Sequence, residues 1–143
     1  MAFNKAFHVK NEADLSRVAQ DMAPHIQKGA VIALEGDLGA GKTAFARALI
    51  RHISGNPALE VPSPTFTLVQ IYETTTGDIW HFDLYRLKAA DEVYELGWED
   101  ALASKAILLI EWAERIESML PPSTITITIK PEADGARTIE VAA

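Results

Sequence analysis

Apolar residues along the first third of the chain recur at two periods. A short apolar-centred segment, Phe7 to Val9, predicts a strand. Asn11 then stands as an N-cap with Asp14 three residues on, and Leu15, Val18, Ala19, Met22, Ala23 and Ile26 follow at helical spacing. Gly29 closes that helix and opens Ala30-Val31-Ile32-Ala33-Leu34, a continuous apolar run suited to a strand covered on both faces. A glycine-rich turn leads to a second helix, Lys42 to Ile53, with Ala46, Leu49, Ile50 and Ile53 on its apolar stripe and Gly55 as its C-cap.

Pro57, Pro62 and Pro64 keep the next stretch out of regular structure. Thr67 to Tyr72 and Asp78 to Leu84 then read as strands, and their short connection requires an antiparallel hairpin. Ala89 to Leu102 predicts one or two short helices bent near Gly97 and Trp98. Ala106 to Ile110 is a second buried strand ending at Glu111, and Trp112 to Leu120 a further helix stopped by Pro121 and Pro122. Thr124 to Ile129 alternates threonine with isoleucine, and Asp134-Gly135 turns the chain so that Thr138 to Val141 returns beside it. The order predicts one mixed α/β layered domain over residues 1–143, with parallel strands at its centre and hairpins at its margin.

Composition narrows the function classes. A hydrophobic fraction of 48% suits a globular core, and no stretch approaches the roughly 18 uninterrupted apolar residues of a membrane span. The charged N-terminal residues do not resemble a secretory leader, so the expected location is cytoplasmic. The absence of cysteine excludes disulfides, thiolate metal clusters and a cysteine nucleophile. A formal charge of -7 disfavours a long nucleic-acid duplex as the principal ligand, while leaving room for a partner that carries the nucleic acid.

The strongest local signal is Gly36-Asp37-Leu38-Gly39-Ala40-Gly41-Lys42-Thr43, a complete Walker A pattern between a buried strand and an apolar-striped helix. Glycines let the backbone curl so that successive amides face phosphate oxygens, and the helix N-terminus adds positive potential. The expected ATP contacts run over Asp37, Leu38, Gly39, Ala40, Gly41, Lys42, Thr43 and Ala44. Lys42 is expected to reach the β and γ phosphates, and the Thr43 hydroxyl to ligate Mg2+. The loop gives the fold expectation its finer form, a P-loop NTPase-like three-layer structure with a mixed central sheet. The bland alternative is a turn whose glycines serve backbone geometry alone.

Two carboxylates end strand-like segments. Glu111 follows an apolar run in the manner of a Walker B element, although such elements more often use aspartate; it is a candidate for the metal or for polarising water, against an ordinary helix-start carboxylate. Asp83 lies in Trp80-His81-Phe82-Asp83-Leu84-Tyr85-Arg86, where alternation puts Trp80, Phe82 and Leu84 on one face and His81 and Asp83 on the other. Asp83 is a candidate near Mg2+, against a structural hydrogen bond or a pair with Arg86. His81 reads as a satisfied strand histidine and not as a metal ligand. Asp37 either orients water or caps its turn. Thr65, within Ser63-Pro64-Thr65-Phe66-Thr67, either senses the terminal phosphate or sits in a loop stiffened by Pro62 and Pro64.

Taken together, Gly-Asp-Leu-Gly-Ala-Gly-Lys-Thr, Ser-Pro-Thr-Phe-Thr, His-Phe-Asp-Leu-Tyr-Arg and Ile-Glu-Trp resemble the bacterial TsaE family, formerly called YjeE, over essentially the whole chain. The resemblance implies a Mg2+-dependent ATPase that serves as the regulatory accessory subunit of the complex forming N6-threonylcarbamoyladenosine beside the anticodon of tRNA. It implies TsaD and TsaB proteins as partners, with tRNA met through that assembly and the threonylcarbamoyl donor made upstream by TsaC or a related enzyme. Carried to matching positions, Lys42 is the phosphate-binding lysine, Thr43 the magnesium ligand and Glu111 the metal-associated carboxylate beside Trp112. Asp83 falls in one switch-like region and Thr65 in the other. No arginine stands out as an internal transition-state finger, so isolated turnover is expected to be slow. Two other functions fit a bare phosphate loop: a small-molecule kinase, for which no long basic lid is present, and a non-catalytic ATP-dependent interaction module.

Overall fold

The computed structural model describes residues 5–37, 41–64 and 66–142. Seven strands form one sheet: β1 (Lys5–Val9), β2 (Val31–Glu35), β3 (Val69–Thr74), β4 (Gly77–Asp83), β5 (Ile107–Glu111), β6 (Ile125–Pro131) and β7 (Arg137–Ala142). Their order across the sheet is β1-β7-β6-β2-β5-β4-β3. The central pairs β6/β2, β2/β5 and β5/β4 are parallel, and the marginal pairs β1/β7, β7/β6 and β4/β3 are antiparallel. This is the mixed sheet that the apolar runs and short turns predict, and β6 and β7 form a hairpin within it, with β1 and not β7 as the edge strand, instead of a lid.

Helices α1 (Glu12–Met22) and α2 (Lys42–Ser54) cover one face. Leu15, Val18, Ala19 and Met22 of α1 meet Phe45, Ala46, Leu49 and Ile50 of α2 over Ile32, Leu34, Leu109, Ile127 and Ile139 of the sheet. On the other face α3 (Trp98–Ala103) and irregular turns bury Ala33, Phe82, Leu108 and Ile110 beneath Val93, Trp98, Ala101 and Ile116. Both faces of β2 and β5 are therefore covered, which explains why those strands read as unbroken apolar runs.

Several boundaries differ from the sequence pattern for local reasons. Asn11 does cap α1, its side chain accepting from the Asp14 amide at 2.9 Å. The helix ends at Met22 and not near Gly29, because Pro24 has no amide to continue the ladder; Ala23–His25 tighten into a 3-10 turn and Ile26 is extended. Leu68 adopts φ 70° and donates its amide to Pro64 O, delaying β3 to Val69. The segment after Glu111 is a 3-10 turn, Ala113–Met119, broken at Ile116. Near the bend at Gly97, φ is 89° and a β-carbon would meet the Trp80 ring at 3.1 Å, so glycine serves there on both counts.

Leu109 is wholly buried at the sheet centre beneath α2. Leu109→Ala is expected to lower the unfolding free energy by about 2–5 kcal/mol in urea titrations; a change below about 1 kcal/mol would contradict this account of the core.

Candidate functional site

Because β2, β5 and β4 run parallel, their C-terminal ends lie along one edge of the sheet. Leu34 is in register with Glu111, and Glu111 with Asp83, so the chain leaves β2 into the glycine-rich loop beside two carboxylates. This is the edge where open α/β sheets bind ligands. Alternation along β4 and β5 places His81, Asp83, Leu109 and Glu111 on the α2 face, where Leu109 packs with that helix.

At the first turn of α2 the side chains converge. The Thr43 hydroxyl donates to the Glu111 carboxylate, with Oγ1 at 2.8 Å from Oε1 and 3.1 Å from Oε2. His81 Nε2 is 2.7 Å from Glu111 Oε2. Asp83 Oδ1 accepts from the Tyr85 amide at 3.0 Å, and the Asp83 amide donates to Leu68 O. Glu111 and Asp83 are both buried, at 2% and 5% exposure. Ala44 follows on α2 and lines a neighbouring groove, while Asp37 is exposed and contributes charge toward Lys42. The expected phosphate contacts Leu38, Gly39 and Ala40, and the expected sensor Thr65, lie outside the described residues.

Lys42 is buried as well. Its ammonium donates to Gly36 O at 2.7 Å and lies over the Trp112 ring, 3.4 Å from the centroid. That cation-π contact replaces part of the lost hydration. Trp112 holds its place with φ 61°, a left-handed conformation that costs a bulky residue roughly 1–3 kcal/mol, and its ring also meets Tyr85 at 4.9 Å. The ring of Trp112 is thus in contact with the lysine. Burial lowers the Lys42 pKa from its ordinary 10.5, opposed by Glu111, Glu114, Asp83 and Asp37.

The donor set suits a small hard cation. Thr43 Oγ1 and the Glu111 oxygens are adjacent, and Asp83 is the next carboxylate along the strand ends. Among the described residues no group of three or more His, Cys, Asp and Glu side chains is arranged to hold a metal alone. Few protein oxygens at a phosphate loop is the pattern of Mg2+, which keeps waters and takes substrate phosphates as ligands.

Two contacts at the site are not written in any local pattern of the sequence. Arg137, on β7, reaches across to the loop: a β-carbon at Gly41 would sit 2.6 Å from its Nη1. Gly41 also has φ 103°, so the backbone favours glycine at the N-cap of α2, while the flexible end of Arg137 is what a larger side chain there would displace. Beside this contact is a groove of about 220 Å3 lined by Lys10, Asn11, Leu15, Ala44, Gly135 and Arg137. The second is the bond of His81 to Glu111. The Arg86 guanidinium, weighed as a pair for Asp83, lies over the Phe66 ring at 4.4 Å.

The chain matches a family model described as threonylcarbamoyl adenosine biosynthesis protein TsaE over residues 9–139. The tRNA threonylcarbamoyladenosine biosynthesis protein TsaE of Rickettsia felis is 42% identical over 122 residues, covering 85% of this chain and 70% of that protein. The proteins of the same description from Treponema pallidum and Bacillus subtilis are 36% and 35% identical, over 90% of this chain and 98% and 79% of theirs. The crystal structure of Bacillus subtilis YdiB superposes with a TM-score of 0.79 at 30% identity, covering 100% of this chain and 87% of that one. Among the described residues no helix is long and apolar enough to cross a membrane.

The lowered Lys42 pKa has a definite sign in stability. Between that value and 10.5 the unfolded chain holds more of the proton, so stability from this group rises with pH. Urea unfolding of the wild type and Lys42→Met from pH 7 to about 10.5 is therefore expected to show the wild type gaining relative to the variant across that window. Parallel pH dependences would contradict it.

Proposed function

The chain belongs to the TsaE family, and from that premise we propose that it is a Mg2+-dependent ATPase acting as the regulatory subunit of tRNA threonylcarbamoyladenosine formation. The observation that carries the catalytic part is the Thr43 hydroxyl held 2.8 Å from the buried Glu111 carboxylate, one residue from a buried lysine at the N-terminus of α2. A hydroxyl, a carboxylate and an ammonium so placed serve phosphates and a cation, and have no evident packing use.

In this reading Lys42 exchanges Gly36 O for the β and γ phosphate oxygens, and the amides at the start of α2 complete the cradle. Mg2+, when bound at Thr43 and Glu111, supplies neutralisation of charge on the β and γ phosphates. Asp83 or Glu111 orients the attacking water. Arg137 and the groove beside it receive the nucleoside side of ATP. Asp37 and Ala44 flank the phosphates, with Leu38, Gly39, Ala40 and Thr65 assigned to the same ligand by their place in the motifs.

The regulatory part rests on the family and on the surface next to the site. Phe66 is 79% exposed beneath the Arg86 guanidinium, and the exposed Tyr85 ring lies tilted against Trp112, which in turn contacts Lys42. A partner that engages Tyr85 thus acts one residue, Trp112, away from the phosphate-binding lysine. TsaD and TsaB proteins are the proposed partners, with tRNA carried by them.

Lys42→Ala removes a charge-assisted bond of about 1.5–3 kcal/mol, so ATP affinity is expected to fall roughly 10- to 150-fold by calorimetry. Phosphate release by the wild type should be slow alone and change on titration with a TsaD and TsaB complex. Lys42→Ala binding and turnover equal to wild type would refute the ATPase reading, and fast turnover indifferent to the complex would refute the coupling.

A further inference from the structure

His81 is the most deeply buried ionisable side chain beside the site, with 0% exposure, and the scheme above gives it no task. It sits on β4 two residues before Asp83 and opposite Leu109, on the α2 face of the sheet. Glu111 begins one strand over and reaches back along this face, so that Oε2 lies 2.7 Å from His81 Nε2 while Thr43 donates from the other side. A strand histidine needs neither a carboxylate partner nor this position to pack among Leu109 and its neighbours.

The chemistry of the pair fixes its polarity. A carboxylate only accepts, so the hydrogen of the contact is on Nε2 and Oε2 is the acceptor. His81 Nδ1 is buried and has no hydrogen-bond partner among the described residues, which suits a bare lone pair better than a second hydrogen. Glu111, buried at the end of β5, thus has Oε2 held by a rigid ring at 2.7 Å, with Oε1 the nearer oxygen to the Thr43 hydroxyl, 2.8 Å against 3.1 Å for Oε2. Without His81, the Thr43 hydroxyl is the one remaining side-chain partner of the carboxylate among the described residues. That hydroxyl is the group that must also serve the cation.

We infer that His81 is a positioning residue for the Mg2+ site: its Nε2–H holds Glu111 Oε2 so that Oε1 and Thr43 Oγ1 are presented together before any cation arrives. The inference rests on the ATPase reading for the identity of the cation, but the hydrogen bond it assigns belongs to the ligand-free protein. Residues that orient a metal-binding carboxylate typically change metal affinity or activity 10- to 100-fold when removed. The effect should fall on Mg2+ and spare the nucleotide contacts made by Lys42 and the loop amides.

The test compares wild type, His81→Leu and His81→Gln, the last keeping an N–H donor near the position of Nε2. ATP binding is titrated by calorimetry with and without Mg2+, and the His81 tautomer of the ligand-free wild type is read from long-range 15N–1H correlations. The expected result is a hydrogen on Nε2, and for His81→Leu a Mg2+ requirement raised about 10- to 100-fold with Mg2+-free ATP affinity unchanged. His81→Gln should recover most of the loss. An Nε2 without a hydrogen, a His81→Leu variant with wild-type Mg2+ dependence, or a folded His81→Gln as impaired as His81→Leu overturns the assignment. If His81→Leu fails to fold, His81→Gln and the tautomer decide it. Wild type that binds ATP with no response to Mg2+ is a separate outcome, which overturns the metal reading and this inference with it.

Discussion

The parallel register of β2, β5 and β4 is the constraint on which the site depends. It brings Leu34, Glu111 and Asp83 level at one edge of the sheet, so a loop leaving β2 must pass two carboxylates from strands far away in sequence. The register is held in turn by apolar faces: Leu109 and Ile32 beneath α2, Leu108 and Ala33 above the irregular layer. A slip of one residue would turn Glu111 and His81 toward Phe82 and Trp98, where neither has a partner. Core and chemistry are thus specified by the same alternation.

The second feature is a set of buried charges that sustain one another. Lys42 is costly to bury, and its pKa falls accordingly, yet the Gly36 carbonyl and the Trp112 ring hold it where incoming phosphates would compete for it. Glu111 is satisfied by Thr43 and His81 before a cation is present. The strained Trp112 backbone connects this arrangement to Tyr85 and so to the surface. Such preorganisation raises the cost of the resting site while lowering the reorganisation needed on binding.

What could be read from the sequence followed the range of the interactions. The Walker A pattern, the strand before it, the helix after it and the run ending at Glu111 are each written in consecutive residues, as are the β3/β4 and β6/β7 hairpins. The end of α1 was misread because the apolar spacing continues through Ala23 and Ile26 while Pro24 removes the amide the helix needs. His81 read as an ordinary strand histidine because its partner lies 30 residues away, and the approach of Arg137 to Gly41 joins opposite ends of the chain. Neither contact has any local periodicity. Trp112 gave no hint of its left-handed backbone, since that geometry comes from the turn after β5 and from the lysine beneath the ring.

The most direct measurement is a crystal structure of the protein with Mg2+ and a non-hydrolysable ATP analogue. The account predicts that Lys42 Nζ leaves Gly36 O for the terminal phosphates, that the cation contacts Thr43 Oγ1 and Glu111 directly or through water, and that the nucleoside lies beside Arg137. A nucleotide bound elsewhere, with Lys42 still on Gly36 O and Thr43 still paired only with Glu111, would contradict it.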